Sequence, residues 1–429
     1  MIDEHAHKKC LKVIGYVFLG VMVLVAGANA IIDPFGLFGA PRVAGFNEHK
    51  PAQRTTVRMF KAHVVDRMEP RTLILGSSRA ELGLSPQHPG FKAQPVYNLA
   101  LSSSRMYEIW RYFQHAQSTS TLEEVVLPFD FLMFNGRLPF ETGFSEARLR
   151  PSAWLTVAGT KAYDLTTALF SLDGIDASRR TLTGQRRFKR GYLIDGQKNL
   201  SRKWAQIQRA GGHYAAFLSN LRGSMIGQDG WVLHTDAYPE SFGYASPLEP
   251  LRELIRFCRA NNIRLHLSFS PVHALRLVII ERVGLWEEYE QWKRDITSIV
   301  AEENARSAVG PQITLLDFST LHDIVKEPVP PKGDTTTQMR WFWEGSHFRT
   351  VVGNWMLDRI LQVKESNAPA DFGVELTPST IEASLATVRA ELRRYVAEYP
   401  DDVAIAEEAL TQTAEERAEL ERVRERFSR

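Results

Sequence analysis

A pair of serines follows the first predicted strand of the chain. The segment Leu75–Arg79 reads Leu-Gly-Ser-Ser-Arg and comes directly after an apolar run. In an open parallel sheet, ligands bind beyond the carboxyl ends of the strands, so a serine in this turn can present its hydroxyl to a substrate. Its backbone N–H can also help to bind an oxyanion. The structural alternative is that Ser77 or Ser78 caps the next helix, because serine is a favoured N-cap.

A histidine with a nearby carboxylate follows the last strand predicted in this sheet. Glu344 precedes His347 by three residues within the segment Trp341–Phe348. Such a carboxylate can fold back and bind one ring nitrogen, which leaves the other free to accept a proton from a serine. A Glu-x-x-His pair can also form half of a carboxylate metal site. No His-Glu-x-x-His motif occurs in the sequence, and we expect neither a metal nor a cofactor.

These two candidates need a scaffold that brings them together, and the hydrophobic pattern predicts one. Five short apolar runs predict strands at residues 71–78, 95–102, 123–131, 261–271 and 313–319. Apolar strands that alternate with helices indicate a mainly parallel α/β sheet with helices on both faces. The carboxyl ends of parallel strands meet at one edge of a sheet. We therefore expect the serine pair and His347 to converge there.

Taken together, these motifs resemble the SGNH, or GDSL-like, hydrolase superfamily over about residues 71–363. The resemblance is to its membrane-anchored bacterial branch, which is associated with acylation of cell-surface polysaccharides. It implies an α/β, flavodoxin-like three-layer sandwich with a parallel sheet. It also implies that Ser78 is the nucleophile and His347 the base, with Glu344 in place of the aspartate that usually orients the imidazole.

Two blocks of the family pattern differ in this chain. The second block usually ends in Ser-Gly, whose glycine N–H lines the oxyanion hole, but Asn98–Ser103 ends in two serines. We expect the backbone N–H groups of Ser78 and Ser103 to form the hole. The third block usually supplies an asparagine donor, whereas this chain has Asp130, whose charge would repel an oxyanion. The loss of one donor lowers the rate by roughly 10²–10³ in a well-studied protease.

Four further residues are candidates for lining the site. Arg79 follows the proposed nucleophile and could pair with an anionic substrate or with Glu81. Asp130 follows the third strand and His273 the fourth, so both are expected at the same edge of the sheet. Trp343 belongs to an aromatic group that could stack on sugar rings or pack its loop onto the core.

The N-terminal segment predicts a membrane anchor. Residues 13–32 are apolar apart from Asn29 and are long enough, at 1.5 Å rise per residue, to cross the hydrocarbon layer. Three lysines precede this segment, so the positive-inside rule places the following chain in the periplasm: Lys8, Lys9 and Lys12. The sequence Ala28-Asn29-Ala30 resembles a signal-peptidase site. The apolar run continues past it, which favours a retained, single-pass inner-membrane anchor over a cleaved signal peptide.

The composition excludes several classes of protein. The 429 residues include 52 Lys and Arg against 50 Asp and Glu, a balance that argues against a general nucleic-acid binder. The two cysteines, Cys10 and Cys258, cannot form a disulfide framework or a zinc site of four thiolates. Hydrophobic residues make up 44% and charged residues 24%, which is typical of globular proteins and excludes wholesale disorder.

Two regions lie outside the strand pattern. The stretch from about 135 to 247 is too long for a structureless loop and predicts an inserted helical subdomain. Its basic residues form either a solvated face or a docking patch for an anionic glycan or lipid head groups: Arg179, Arg180, Arg186, Arg187, Lys189, Arg190, Lys198, Arg202 and Lys203. From Leu376 the sequence predicts two solvated or partner-binding helices, with Ser379 and Glu382 as a capping box.

These observations predict four segments and one activity. The segments are a cytoplasmic N-terminus with its anchor (1–33), a linker (34–69), the α/β domain (70–365) and a helical tail (366–429). The activity is acyl transfer or ester hydrolysis on an envelope glycan through Ser78, His347 and Glu344. The alternative is an inactive module of the same fold that binds glycan or scaffolds other envelope-biosynthesis proteins. The missing third-block asparagine favours this alternative.

Overall fold

A six-stranded sheet forms the centre of the protein. The computed structural model describes residues 4–186, 191–223, 231–233, 243–306 and 310–427. The strands are β1 (Thr72–Ile74), β2 (Val96–Asn98), β3 (Glu124–Phe129), β4 (Arg264–Phe269), β5 (Leu315–Asp317) and β6 (Val374–Glu375). They lie in the order β2-β1-β3-β4-β5-β6, and only the β5–β6 pair is antiparallel. The predicted mixed α/β fold with a mainly parallel sheet is confirmed.

All five predicted strands are present, although each is shorter than its apolar run. The sequence pattern missed β6, which has two residues and pairs with β5 at the edge of the sheet. Strand β3 is buried along its whole length, as a strand between two parallel neighbours should be when helices cover both faces.

The helices lie between and around these strands. Ahead of β4 they are α1 (Glu4–Ile32), α2 (Val57–Met68), α3 (Ser78–Gly83), α4 (Met106–Gln117), α5 (Trp154–Phe170), α6 (Leu172–Gly184), α7 (Lys203–Arg209), α8 (Gly212–Arg222) and α9 (Leu248–Ala260). After β4 come α10 (Ala274–Arg282), α11 (Trp286–Arg306), α12 (Thr350–Ile360), α13 (Ile381–Glu398) and α14 (Pro400–Phe427). Short 3-10 helices occupy Pro51–Arg54, Phe131–Phe134, Glu146–Arg148 and Asp323–Lys326. Helices α5 to α8 lie in the long stretch that was predicted to be a helical insertion.

The helices around the sheet also pack against one another. Helix α4 contacts α2 and α9, and α9 contacts α11, while α3 contacts α12 and α10 contacts α13 and α14. The amphipathic pattern of α4 explains its place, because Met106, Ile109, Trp110 and Phe113 fall on one face and are buried.

Two predicted segments differ from what the structure contains. The predicted linker 34–69 includes α2, whose Val57, Phe60 and Val65 are buried in the core. The predicted tail does break into two helices at Tyr399, but α13 buries Leu385 and Leu392 against the core rather than standing in solvent. An apolar residue at every third or fourth position gives α13 a face that packs.

The predicted capping box at the start of the tail is wrong. Helix α13 begins at Ile381 with Thr380 as its N-cap. The carboxylate of Glu382 does not turn back to the cap, because it accepts a hydrogen bond from Arg294 at 2.6 Å.

The N-terminal helix α1 is long and apolar enough to cross a membrane. Residues 7–32 form one helix whose apolar side chains are largely exposed. The chain therefore has one N-terminal helix suited to span a bilayer.

Close packing of α3 against α12 positions the C-terminal end of the sheet. A Cβ atom on Gly353 in α12 would overlap the backbone carbonyl of Gly83 in α3, and a Cβ on Gly83 would overlap the ring of Phe348. Only glycine lets these backbones approach so closely. This contact fixes the distance between the segment that follows β1 and the segment that contains residues 341–349.

We predict that Gly353→Ala destabilises the fold, because the added methyl group must push α12 away from α3. Overpacking of this kind costs about 1–3 kcal/mol. Thermal unfolding of the detergent-solubilised protein measures the effect. Gly159→Ala in α5 is the matched control, since nothing lies within 4 Å of its Cβ position, and alanine should there stabilise the helix by about 0.5–1 kcal/mol. A Gly353→Ala protein that melts at the wild-type temperature would contradict the close contact.

Candidate active site

The structure brings Ser78, His347 and Glu344 into one hydrogen-bonded chain. The Oγ of Ser78 lies 2.7 Å from Nε2 of His347. The Nδ1 of the same ring bonds the Oε1 of Glu344, which also accepts the backbone N–H of His347 at 3.1 Å. Because an ionised carboxylate only accepts hydrogen bonds, Nδ1 carries the proton and Nε2 accepts from the serine hydroxyl. The geometry is that of a serine beside a general base and its orienting carboxylate.

The turn after β1 presents Ser78 at the carboxyl end of the strand. Gly76 has φ of +124°, and a Cβ there would lie 3.2 Å from the carbonyl oxygen of Pro128 in β3. Ser77 is the N-cap of α3 and accepts the N–H of Arg79 at 3.3 Å. Each serine therefore fits one of the two interpretations of the motif. Ser77 caps the helix, and Ser78 faces the histidine.

The three-residue spacing of Glu344 and His347 belongs to a tight hairpin over residues 341–349. The N–H of Trp343 donates to the carbonyl of His347 at 2.8 Å, and Arg349 N–H donates to Trp341 at 2.7 Å. The carbonyl of Gly345 at the tip accepts the N–H of His273 at 3.2 Å. The hairpin therefore fixes both residues relative to each other.

Side chains from outside the hairpin bind its backbone and hold it in place. The carboxylate of Glu327 accepts the N–H groups of Trp341 at 2.9 Å and Phe342 at 3.3 Å, and also that of Arg340. On the other side, Nδ1 of His213 donates to the carbonyl of Trp343 at 3.1 Å and Nε2 accepts the N–H of Met339 at 3.1 Å. These contacts preorganise the imidazole of His347 without touching it.

Glu344 is a buried carboxylate whose surroundings favour its charged form. Burial acts to raise its pKa, but the charge of His347, the hydrogen bond to it, and the charges of Lys203 and Arg276 outweigh burial and hold the pKa below its usual range. An ionised Glu344 can stabilise the imidazolium that forms when His347 accepts a proton.

Two backbone N–H groups are available beside Ser78. Within the described ranges, neither the N–H of Ser78 nor that of Ser103 donates to a protein acceptor. Ser103 is exposed and has φ of +56°, the left-handed conformation that glycine adopts most readily. Ser103 therefore has a backbone conformation that a non-glycine residue rarely adopts. Both serines line the same cleft.

The cleft at Ser78 has a volume of about 320 Å³. It continues into a wider depression of about 740 Å³, with which it shares Arg54, Ser102, Ser103 and Lys198. The smaller cleft is lined by Arg54, Ser78, Leu82, Ser102, Ser103, Gly191, Lys198, Asn199, Leu200, Lys203, Gln206 and His347. This lining contains three cationic side chains and no carboxylate. A substrate with negative charge fits it better than a cationic one.

Part of the predicted basic patch contributes to this lining. Lys198 and Lys203 belong to the smaller cleft and Arg180 to the wider one. Arg187, Lys189 and Arg190 lie outside the described residues.

Asp130 and Arg79 do not line the cleft, which corrects their prediction as lining residues. Asp130 bonds the hydroxyl of Ser77, and its Oδ1 lies 3.6 Å from Arg79 Nη1. Both line a separate cavity of about 20 Å³, beside Arg276, which is large enough for about one water. Arg79 does not pair with Glu81 either, because the Glu81 carboxylate lies beside Lys61 at 3.6 Å and Lys198 at 3.3 Å. The carboxylate of Asp130 therefore contacts Ser77 and Arg79 and does not face the Ser78 cleft.

His273 and Trp343 are also absent from the cleft. His273 is buried, with Nε2 bonded to the carbonyl of Glu327 at 2.7 Å, and burial lowers its pKa to about 4. Trp343 is buried and stacks under Arg349, whose guanidinium carbon lies 4.6 Å from the ring centroid. A position at the correct end of a strand does not determine which way a side chain points, and both rings pack the core.

The sequence did not reveal the residues that bind the hairpin from outside. Glu327 and His213 have no motif spacing relative to Glu344, because their contacts are with backbone groups of a segment distant in the chain. Arg54 was likewise assigned to a linker. Among the described residues, no group of three or more His, Cys, Asp or Glu side chains lies close enough to hold a metal ion.

Comparison with known proteins adds no assignment to this geometry. No protein-family model matches the chain, and no curated protein matches it in sequence.

We predict that the contribution of Glu344 to stability depends on pH. Its pKa in the folded protein lies below the ordinary 4.5, so the unfolded chain binds the proton more readily. The stabilisation is therefore fully present above about pH 4.5 and is lost as the pH falls through the folded pKa. The gap in unfolding midpoint between wild type and Glu344→Gln should be constant near neutrality and narrow toward about pH 3.

The unfolding midpoints are measured by urea titration at each pH. Glu398→Gln, measured in the same way, provides the control, because Glu398 is exposed in α13. Removing this exposed carboxylate should leave the unfolding midpoint close to that of the wild type. A gap for Glu344→Gln that widens in acid would contradict the favoured ionised state of this carboxylate.

Proposed function

We propose that the protein is an SGNH-type enzyme that forms an acyl-ester intermediate on Ser78 and acts on a polymer of the cell envelope. The observation that carries the proposal is the 2.7 Å contact between Ser78 Oγ and His347 Nε2. A hydrogen bond of this length in a solvent-accessible cleft is what a nucleophilic serine requires. A helix cap would not need a histidine partner.

The chemistry follows from the three side chains and two N–H groups. Ser78 Oγ attacks an acyl carbonyl carbon while His347 Nε2 takes the hydroxyl proton, and Glu344 stabilises the imidazolium. The N–H groups of Ser78 and Ser103 bind the oxyanion. Collapse breaks the bond to the leaving alcohol, which receives the proton from His347. A second hydroxyl, or water, then attacks the acyl-serine with the same proton transfers in reverse.

The arrangement of the strands supports the family. Strands β2-β1-β3-β4-β5 follow the doubly wound order. Successive strands are added on one side of β1 and then on the other, and ligands bind at the switch point between β1 and β3. Ser78 comes from the turn after β1. A flavodoxin-like SGNH sandwich with two family blocks altered is the finer assignment that we propose.

The substrate that we propose carries negative charge near the acyl group. Arg54 and Lys203 line the cleft. Lys203 is partly compensated by the buried Glu344 and Lys198 by Glu81 at 3.3 Å, whereas Arg54 forms no ion pair within the described residues. A concave site with an excess of cations attracts anions, so an anionic glycan fits better than a neutral one.

A retained anchor in the inner membrane, with the cleft on the periplasmic side, completes the proposal. Asn29, at the centre of the potential cleavage sequence, lies within α1 and is buried. Lys50 Nζ donates to the carbonyl of Ile32 at 3.1 Å, so the end of the helix is part of the folded protein. Cleavage after Ala30 would remove Asn29 and with it the hydrogen bonds that this side chain makes to Leu169 and Ser178.

We predict that a fluorophosphonate probe labels the wild-type protein at Ser78. Ser78→Ala should abolish labelling, and His347→Gln should slow it by roughly 10²–10⁴ because the general base is lost. In-gel fluorescence with mass analysis of the modified peptide gives the rate and the position.

Ser77→Ala is the matched control, because Ser77 is the adjacent hydroxyl but bonds Asp130 rather than His347. It should keep its labelling while losing about 1 kcal/mol of stability with its cap. Equal labelling of wild type and Ser78→Ala would end the proposal and leave the inactive glycan-binding module as the better account.

We predict that the cationic lining selects an anionic acyl ester or probe. Arg54→Glu with Lys203→Glu should slow labelling by a carboxylate-bearing fluorophosphonate by about tenfold or more at low salt, relative to a neutral probe. Arg393→Glu, an exposed cation of α13, is the control and should change neither rate. Parallel effects on both probes would show that these charges do not select substrate.

A further inference from the structure

Helices α5 and α6 pack against the helix that is suited to span a membrane. Asn29 in α1 donates from Nδ2 to the carbonyl of Leu169 at 2.8 Å and accepts at Oδ1 from Ser178 Oγ at 2.6 Å. The backbones of α5 and α6 both contact α1. The α5–α6 pair (Trp154–Gly184) is therefore attached to the side of α1.

This contact reaches into the apolar part of α1. Lys12 and Asp33 are the charged residues that bracket the apolar stretch, which is about 30 Å long at 1.5 Å per residue and matches the hydrocarbon thickness. Met22 and Val25 are half-buried within the protein, whereas Leu24 on the opposite side is 74% exposed. The covered side extends from Ile32 to Met22, about 15 Å into this layer.

The outer face of α5 has the composition of a membrane-contacting surface. Trp154, Leu155 and Tyr163 are 74%, 75% and 71% exposed, and every exposed residue of α5 is uncharged. The two charged residues of the helix point inward. Lys161 pairs with Asp66, and Asp164 accepts from Arg148 at 2.7 Å. A water-facing helix would show the reverse arrangement.

Helix α6 combines exposed apolar and basic side chains. Leu172, at the turn between the two helices, is 84% exposed, and Ile175 is also exposed. Arg179 and Arg180 follow and both pair with Asp176, while Asp173 at the start of the helix is exposed. Arg186 lies just beyond the end of the helix. Aliphatic side chains beside arginines are typical of a helix at the interface with anionic lipid.

We propose that the α5–α6 pair is a second membrane-contacting element, inserted beside α1 into the outer part of the bilayer. It depends on α1 as the membrane span but not on the serine chemistry. Two attachments prevent the protein from rotating about α1. Arg180 and Thr183 of α6 also line the wider depression that joins the Ser78 cleft. The cleft is consequently held at a fixed height above the lipid head groups.

Fluorescence quenching on the full chain in vesicles tests this placement. In a Cys10→Ser background, with Cys258 buried, single substitutions Leu155→Cys, Tyr163→Cys and Leu172→Cys carry an NBD label. The vesicles contain phosphatidylcholine and phosphatidylglycerol, with or without spin-labelled acyl chains. Leu24→Cys in α1 is the positive control, and Ala397→Cys at the exposed end of α13 is the negative control.

We expect labels on the α5–α6 pair to emit at shorter wavelength and to be quenched as strongly as the label at residue 24. Water-like emission and no quenching at all three positions, with residue 24 quenched, would overturn the proposal while leaving the anchor intact. Absence of quenching at residue 24 would overturn both. Since these sites are exposed, unchanged melting temperatures confirm that the labelled proteins are folded.

Discussion

The hydrogen bond between Ser78 Oγ and His347 Nε2 joins two segments that are 269 residues apart in the chain. A bond of 2.7 Å forms only if the turn after β1 and the hairpin 341–349 are held in an accurately defined relative position. The glycine contact between α3 and α12 sets one distance, and the Glu327 and His213 contacts set the other. Much of the fold around the carboxyl end of β1 serves this one contact.

Electrostatics impose a second constraint on the same site. A buried carboxylate is stable only with compensation, and Glu344 receives it from His347, Lys203 and Arg276. Lys203 also lines the cleft, so one cation serves both the orienting carboxylate and the region that a substrate would occupy. Asp130, which would oppose an oxyanion if it faced the cleft, is instead held by Ser77 and Arg79 on the other side of the turn.

Local patterns in the sequence predicted the strands, the parallel sheet and the Glu344–His347 pair, because each depends on short-range periodicity or spacing. The choice of Ser78 over Ser77 rested on the family resemblance. Side-chain direction depends on packing with distant elements, so His273 and Trp343 were placed at the correct edge but turned into the core. Ser103 shows a different limit. The left-handed backbone is imposed by its surroundings, whereas the serine side chain gives no sign of it. Helix α2 was assigned to a linker because its buried face contains Arg58, Lys61 and His63, so the sequence shows no clear apolar stripe.

The acyl-enzyme itself tests the central claim most directly. The full-length protein is mixed with an activated acetyl ester, quenched in acid, digested and sequenced by tandem mass spectrometry. The account predicts an acetyl group on the oxygen of Ser78 that decays on neutral incubation and that does not form in His347→Gln. Acetylation confined to lysines, or found on Ser77 instead, would contradict it.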